Sequence, residues 1–252
     1  MAIPHTNSAA TRAFRIIEIM AHAERPLSLT DIVERIELPK QTVHRLLKQL
    51  ESASLVTRTA TGRRYECSSR IRRMAVSMLM TTGPAAARRA ILQELVDRVK
   101  ETCNLSMSTG DDIVYLDRVE MNWPQRFILN PGSRVPFHCT ASGKLFLSFL
   151  PKQQRESLIK RLPLRSSTTQ SITDKDELRQ ELIEIRKNRY SVNEGEFISG
   201  MIAIAVPVML NTRRMCAAIA IQASSERISM EQLIKHLPVL RAAADKTAKT
   251  FY

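Results

Sequence analysis

The sequence predicts an α+β chain in two parts: a three-helix unit closed by a short hairpin, then a larger part with helices grouped around an antiparallel sheet. Three observations carry this expectation. Within the first fifty residues, apolar side chains recur at i, i+3, i+4 and i+7 in three short successive blocks, the period of helices with one buried face. The stretch 55–67 then breaks that period and reads as two strands about a Thr61-Gly62 turn. Beyond residue 84, runs of β-branched residues bounded by turn residues interleave with further helical blocks, which fits an antiparallel sheet with helices packed on it.

The first helix is expected over 8–23, with Ala13, Ile16, Ile17 and Met20 on one stripe. Ser28 can cap the second, with Asp31 three residues on as the reciprocal partner of a capping box, and Leu29, Ile32, Val33 and Ile36 form its stripe. Glu37-Leu38-Pro39 is a turn whose proline opens the third helix, striped by Val43, Leu46, Leu47 and Leu50. With that stripe turned inward at about 100° per residue, Gln41, Arg45, Lys48 and Ser52 face outward and Thr42 and His44 flank them. A short polar N-terminal half with outward cations suits entry into a DNA major groove. There Arg pairs bidentately with guanine, Gln with adenine, and Lys48 reaches a phosphate. A plain solvated helix would show the same residues, but its neighbours favour DNA. The upstream helix and short turn supply helix-turn-helix order, and the hairpin downstream is a wing carrying Arg58, Arg63 and Arg64. Six arginines lie between 58 and 73 against one acid, Glu66. Residues 1–83 hold thirteen Lys and Arg against seven Asp and Glu, and the whole chain carries a formal charge of +13. A surplus of this kind attracts a polyanion, and a basic wing beside a reading helix is suited to clamping phosphates.

A fourth helix is expected over 69–82, with Ile71, Met74, Ala75, Met78 and Leu79 on one side, a stripe for helix-to-helix contact within or between subunits. Gly83-Pro84 ends it. The expected division is therefore 1–68, a winged helix-turn-helix DNA-binding domain; 69–83, a linker helix; and 84–252, a sensor domain. In the last part the sequence predicts helices over 85–101, 141–149, 151–161 and 173–187, the latter capped by Thr173 with Asp176 in the box position. A final helix opens at Ser229. Strands are expected at 104–108, 113–118, near 127–129, 201–208 and 215–223, the first two joined by a turn at 110–112.

Other features narrow the function. Residues 1–12 are polar without the apolar core of a signal peptide, and no apolar run has bilayer length, so a soluble cytoplasmic protein without a membrane partner is expected. Cys67, Cys103, Cys139 and Cys216 have no metal-ligand spacing and read as small packing residues, so no metal or cofactor is expected. No motif of catalysis stands out, and glycines number seven. His138 and Cys139 would point to opposite faces of a strand, which argues against a thiol–imidazole pair. A thiol-based redox sensor and an enzyme acting on a bound acid stay as alternatives.

The segments Pro26-Leu27-Ser28-Leu29-Thr30-Asp31-Ile32 and Leu38-Pro39-Lys40-Gln41-Thr42-Val43-His44-Arg45-Leu46-Leu47 closely resemble the IclR family of bacterial transcriptional regulators. Val114 to Val119, Gly132 to His138, Ala141-x-Gly143-Lys144, and Gly200 through Ala205-Val206-Pro207-Val208 resemble it too, so the likeness spans nearly the whole chain. It implies a GAF-like sensor domain and a linker helix that takes part in dimer contacts, in a homodimer or a tetramer built as a dimer of dimers. It also implies allosteric control of operator DNA by a small carboxylic acid. With the residues already named, it makes Lys40, Gln41, Thr42, His44, Arg45, Lys48, Arg58, Arg63 and Arg64 the candidate DNA contacts.

The start of the helix at Ala141-Ser142-Gly143 is small and has unpaired first-turn amides, which suits either a carboxylate or a tight helix-to-sheet contact. Family members bind small acids at the matching position, which favours the carboxylate. Where the family often has an acid, a cysteine and two small hydroxyl residues, this chain has Asn193, Ala203, Ala220 and Gln222. Losing a charge and some volume implies a roomier pocket, and so a larger acid, such as an aromatic one. Asn104, Ser106, Met201 and Gln222 are expected to line its remainder.

Overall fold

The computed structural model describes residues 8–23, 25–59, 62–81, 84–110, 112–121, 129–212 and 214–251. They divide into two compact units, Met1–Ala75 and Val76–Tyr252.

In the first unit three helices, α1 (Ala9–His22), α2 (Leu29–Ile36) and α3 (Lys40–Ser52), enclose a core made by their apolar stripes. Ile16, Ile32, Ile36, Val43, Leu46 and Leu47 are all buried there. The expected capping box closes the start of α2: the Asp31 amide donates to Ser28 Oγ at 3.1 Å and the Ser28 amide to Asp31 Oδ2 at 2.8 Å. Pro39 stands one place earlier than expected, as the N-cap of α3 without a side-chain cap bond. Strands β1 (Val56–Arg58) and β2 (Tyr65–Cys67) pair antiparallel with Arg58 opposite Tyr65, and Leu27 bridges to Tyr65 from the other side. Of the expected Thr61-Gly62 turn, Thr61 lies outside the described residues, as does Ala60 before it.

Helix α4 (Ser69–Thr81) contains the point where the two units divide. Of its expected stripe, Met74 and Met78 are 43% and 55% exposed, whereas Val76, on another side of the helix, is buried.

The second unit is built on an antiparallel six-stranded sheet of order β5-β4-β3-β8-β7-β6. Its strands are β3 (Thr102–Ser108), β4 (Ile113–Val119), β5 (Arg134–Val135), β6 (Ser191–Glu194), β7 (Met201–Met209) and β8 (Met215–Ser224). Strand alternation sorts the side chains into two unlike faces. Ile202, Ile204, Val206, Ile219 and Ile221 pack on one face with Leu92, Leu95 and Val96 of α5 (Pro84–Val99) and Leu240 of α10 (Leu237–Ala248). The other face is floored by Ala203, Ala205, Ala218 and Ala220, beneath α6 (Ala141–Phe149). Helices α7 (Lys152–Arg161) and α8 (Lys175–Asn188) pack outside α6, through Ile159, Leu178, Leu182 and Ile185.

Three expectations change here. Asp174, not Thr173, caps α8: its Oδ1 accepts from the amides of Asp176 and Glu177, both at 2.8 Å. A charged acceptor at a helix start gains from the dipole as well as from the bonds. The last helix is two, α9 (Met230–Ile234) and α10, because Pro238 lacks the amide that an unbroken helix would need. Strands β5 and β6, too short to declare themselves, were not foreseen. The strand expected near 127–129 falls almost wholly outside the described residues. Among those described, no helix is long and apolar enough to cross a membrane.

Candidate nucleic-acid interface and effector pocket

Burial of Val43, Leu46, Leu47 and Leu50 turns the opposite side of α3 to solvent. Lys40, Gln41, Arg45 and Lys48 are exposed, with Thr42 and His44 half-buried beside them. The expected reading face is thus presented by one helix. The three wing arginines divide. Arg63 is exposed, but Arg58 lies 4.9 Å over the Tyr65 ring and donates through Nε to Glu51 at 3.1 Å. Arg64 donates through Nη1 to the Pro26 carbonyl at 3.0 Å and to Asp31 Oδ2 at 3.3 Å, tying the hairpin to the capping box of α2. Both Arg58 and Arg64 brace the fold, whatever else they touch. The Ser28 backbone amide, foremost, holds the Asp31 carboxyl below its ordinary value.

In the second unit a pocket opens between the alanine floor and the start of α6, with about 320 Å³ of empty space including its mouth. Eight of the ten expected residues line it: Asn104, Ala141, Ser142, Asn193, Met201, Ala203, Ala220 and Gln222. Ser106 is buried on the same face but does not line it, and its Oγ donates to the Ala218 carbonyl at 3.5 Å. Gly143 is also outside the lining. Its amide donates to Thr140 Oγ1 at 3.1 Å, while that hydroxyl donates to the Pro136 carbonyl at 2.7 Å. The capped amide of Gly143 is therefore committed, which leaves Ala141 and Ser142, ahead of the first intrahelical bond from Lys144 to Thr140, to meet an anion.

Tyr115, Thr140 and Phe197 also line the pocket and were missed from sequence. The cause for Tyr115 is a register shift in β4. Asn104 pairs with Arg118 but Ser106 pairs with Tyr115, so two residues of β3 oppose three of β4. This puts Tyr115 and Arg118 on the pocket's face of the sheet. Arg118 is only 6% exposed, donating through Nε to Glu120 at 3.0 Å and through Nη1 to Gln222 Oε1 at 2.9 Å. With its oxygen held by that cation, Gln222 turns Nε2 toward Met201 Sδ. Below the α6 start, Lys144 is buried and paired with Glu196 at 2.6 Å and Glu181 at 3.1 Å. Burial pushes the Glu196 carboxyl up, and Lys144 opposes that.

Three thiols that a redox switch would use are poorly suited to it. Burial raises Cys139 to about 11 and Cys216 to about 12, and it raises Cys103 as well. The thiolate is the reactive form, so all three stay protonated near neutrality. Among the described residues no group of three or more His, Cys, Asp or Glu could hold a metal ion.

A winged helix-turn-helix reading face, joined in one chain to a helix-flanked sheet with a pocket of mixed polar and apolar lining, defines a class: a DNA-binding regulator with an effector-binding domain. The IclR helix-turn-helix domain model matches residues 9–60, and that of the bacterial transcriptional regulator IclR C-terminal domain matches residues 76–249, so the chain belongs to the IclR family. It is 61% identical over 247 residues to a Cupriavidus necator protein described as "Probable transcriptional regulator SauR", covering 98% of each chain. The Thermotoga maritima IclR crystal structure shares the fold, with a TM-score of 0.64 and 24% identity over 98% of this chain and 100% of that one. A double mutant of the PobR inducer-binding domain from Acinetobacter, solved with 3-hydroxybenzoic acid, aligns with a TM-score of 0.61 at 26% identity, covering 67% of this chain and 98% of that one. The family's work is transcriptional regulation, not catalysis.

Proposed function

We propose that this regulator binds double-stranded operator DNA at the promoter of a catabolic operon through α3 and the wing, and that a small carboxylic acid in the pocket of its second unit controls that binding. The observation carrying the proposal is the convergence of eight expected residues on one pocket beside the open amides of Ala141 and Ser142. The amides at the positive end of α6 attract a carboxylate, and Ala203 and Ala220 leave room above the sheet. Alanine at both positions, where larger or polar side chains would narrow the site, favours an acid larger than two or three carbons, an aromatic carboxylate foremost; the related PobR domain bound to 3-hydroxybenzoic acid supports this choice.

Residues 1–68 act as the DNA-binding domain, 69–83 as the linker helix and 84–252 as the effector domain. Met74 and Met78, exposed on α4, suit a helix-to-helix contact between two copies, in a homodimer or a dimer of dimers. Two joined wings would then read paired half-sites, and acid binding would shift the population between arrangements of the pair. Such a protein works in the cytoplasm, with the chromosome.

The test is fluorescence anisotropy of full-length protein on DNA from its own promoter region and on unrelated fragments, with and without acids. Selective binding altered by an aromatic acid is the expected result. Lack of preference for the promoter in every condition would refute the operator reading. Binding of glyoxylate-sized acids alone would refute the larger-acid reading.

A further inference from the structure

Two acceptors in the pocket have nothing to accept. Asn104 and Asn193 are 2% and 1% exposed, both line the cavity, and the Oδ1 atom of each is buried without a hydrogen-bond partner among the described residues. A buried amide oxygen left unpaired is costly, and such atoms in native folds call for an explanation. A swapped amide does not explain Asn193. Its Nδ2 donates to the Cys139 carbonyl, and exchanging the two ends would set oxygen against oxygen. Its Oδ1 is an acceptor by necessity.

The sheet places the two asparagines on opposite flanks of one floor. Asn104 pairs with Ala220, Gln222 with Ala203, and Ala203 with Asn193. The strand order β3-β8-β7-β6 sets their backbones three strand spacings apart across the sheet, about 14 Å, and the step from Ala220 to Gln222 offsets them by two residues along the strands. Asn193, bonded to Cys139, flanks the start of α6, and Asn104 stands on the far side next to Arg118. The donor Gln222 Nε2 lies between them with only a thioether as its partner. Neither asparagine can accept from a carboxylate, which at neutral pH has no proton to give.

We infer that the effector is a hydroxy- or amino-substituted acid: its carboxylate lies on the Ala141 and Ser142 amides, and its O–H or N–H donor satisfies Asn193 Oδ1 near the acid or Asn104 Oδ1 across the alanine floor. The inference rests on the acid-effector reading above and adds the donor to it. A site built to receive a hydrogen bond discriminates strongly against the analogue lacking the donor, because the buried acceptor then stays unpaired.

The experiment is isothermal titration calorimetry of the full-length protein with matched pairs: benzoate against 2-, 3- and 4-hydroxybenzoate and 4-aminobenzoate, and propionate against lactate. Phenol serves as a donor without an acid. At least one substituted acid should bind about tenfold more tightly than its parent. In N104A or N193A the ratio between the substituted acid and its parent should shrink to about twofold. Should either alanine variant fail to fold, Asn104→Ser and Asn193→Ser replace it, and the wild-type pairs decide the question by themselves. Parent acids binding as tightly as every substituted partner would overturn the donor inference and leave the acid reading standing. Phenol matching 4-hydroxybenzoate would overturn the acid reading and support the donor. Binding by no compound would overturn both.

Discussion

Replacing Gly143 with alanine tests how the start of α6 is held. An added Cβ would sit 2.4 Å from the Phe137 carbonyl oxygen, 2.6 Å from Phe137 Cα and 2.6 Å from the Pro136 carbonyl oxygen. All three are backbone atoms, and none can swing aside as a side chain would. Ordinary contact begins at 3.4 Å, so the helix start or the connection from β5 must retreat by about 1 Å. Overpacking of this kind costs about 1–3 kcal/mol, and immobile neighbours favour the upper end. Stretching the bond from the Gly143 amide to Thr140 Oγ1 adds about 1 kcal/mol, whereas alanine's better helix propensity returns about as much. The net loss of about 2–3 kcal/mol corresponds to a fall in Tm of about 4–12 °C for a unit of this size. Scanning calorimetry of the full chain measures the shift, and titration with a binding acid measures the second consequence, weaker affinity from displaced amides. Gly62→Ala is the control, since its Cβ meets nothing within 4 Å and only its φ of +69° opposes substitution. A Tm within about 1 °C of wild type would refute the close approach. A lowered Tm with unchanged acid affinity would refute the role of the α6 start in binding.

Other outcomes follow from the same geometry. Arg45→Ala should weaken operator binding by about 1–3 kcal/mol and relax base preference, whereas Lys48→Ala should weaken all DNA alike and flatten the salt dependence. Anisotropy on operator and random DNA at several salt concentrations separates them, and equal loss of both DNAs in Arg45→Ala would contradict a base-reading role. Ser28→Ala removes the acceptor for the Asp31 amide and should cost about 1 kcal/mol of stability, read by thermal melting. Because the Asp31 carboxyl titrates below its ordinary 3.8, its contribution is present above that value and is lost as pH falls through the lowered one. Ser28→Ala should blunt that acid-side loss, and an unchanged stability profile below pH 4 would count against the cap. Native protein at neutral pH should react slowly with a thiol reagent at Cys103, Cys139 and Cys216, and replacing all three with Ser should leave the acid response intact. Loss of that response would restore the redox-sensor reading.

How much of this was legible in the sequence depended on whether a single period governed the residues concerned. The buried face of α3 follows the helical repeat of Val43, Leu46, Leu47 and Leu50, so its reading face followed by subtraction. The alanine floor was also within reach, because β7 and β8 alternate without interruption over 201–208 and 217–223. Roles that depend on tertiary partners were hidden. Arg58 and Arg64 count as wing cations in the sequence, and only the fold shows Glu51, Tyr65, Pro26 and Asp31 engaging them. The commitment of the Gly143 amide to Thr140 was hidden likewise, since small residues at a helix start fit an anion site and a tight contact equally well. Here the residues divide, with Gly143 forming the contact and Ala141 and Ser142 facing the pocket. The bulge in β4 hid most. Strict alternation from Tyr115 puts Asp117 on the pocket's face; the extra residue puts Arg118 there instead. One inserted residue thus sets a cation behind Gln222 where an acid would otherwise stand. A pocket backed by Arg118 is compatible with an anionic effector, whereas one backed by Asp117 would repel it, so the polarity of the pocket depends on a local irregularity that periodicity does not predict.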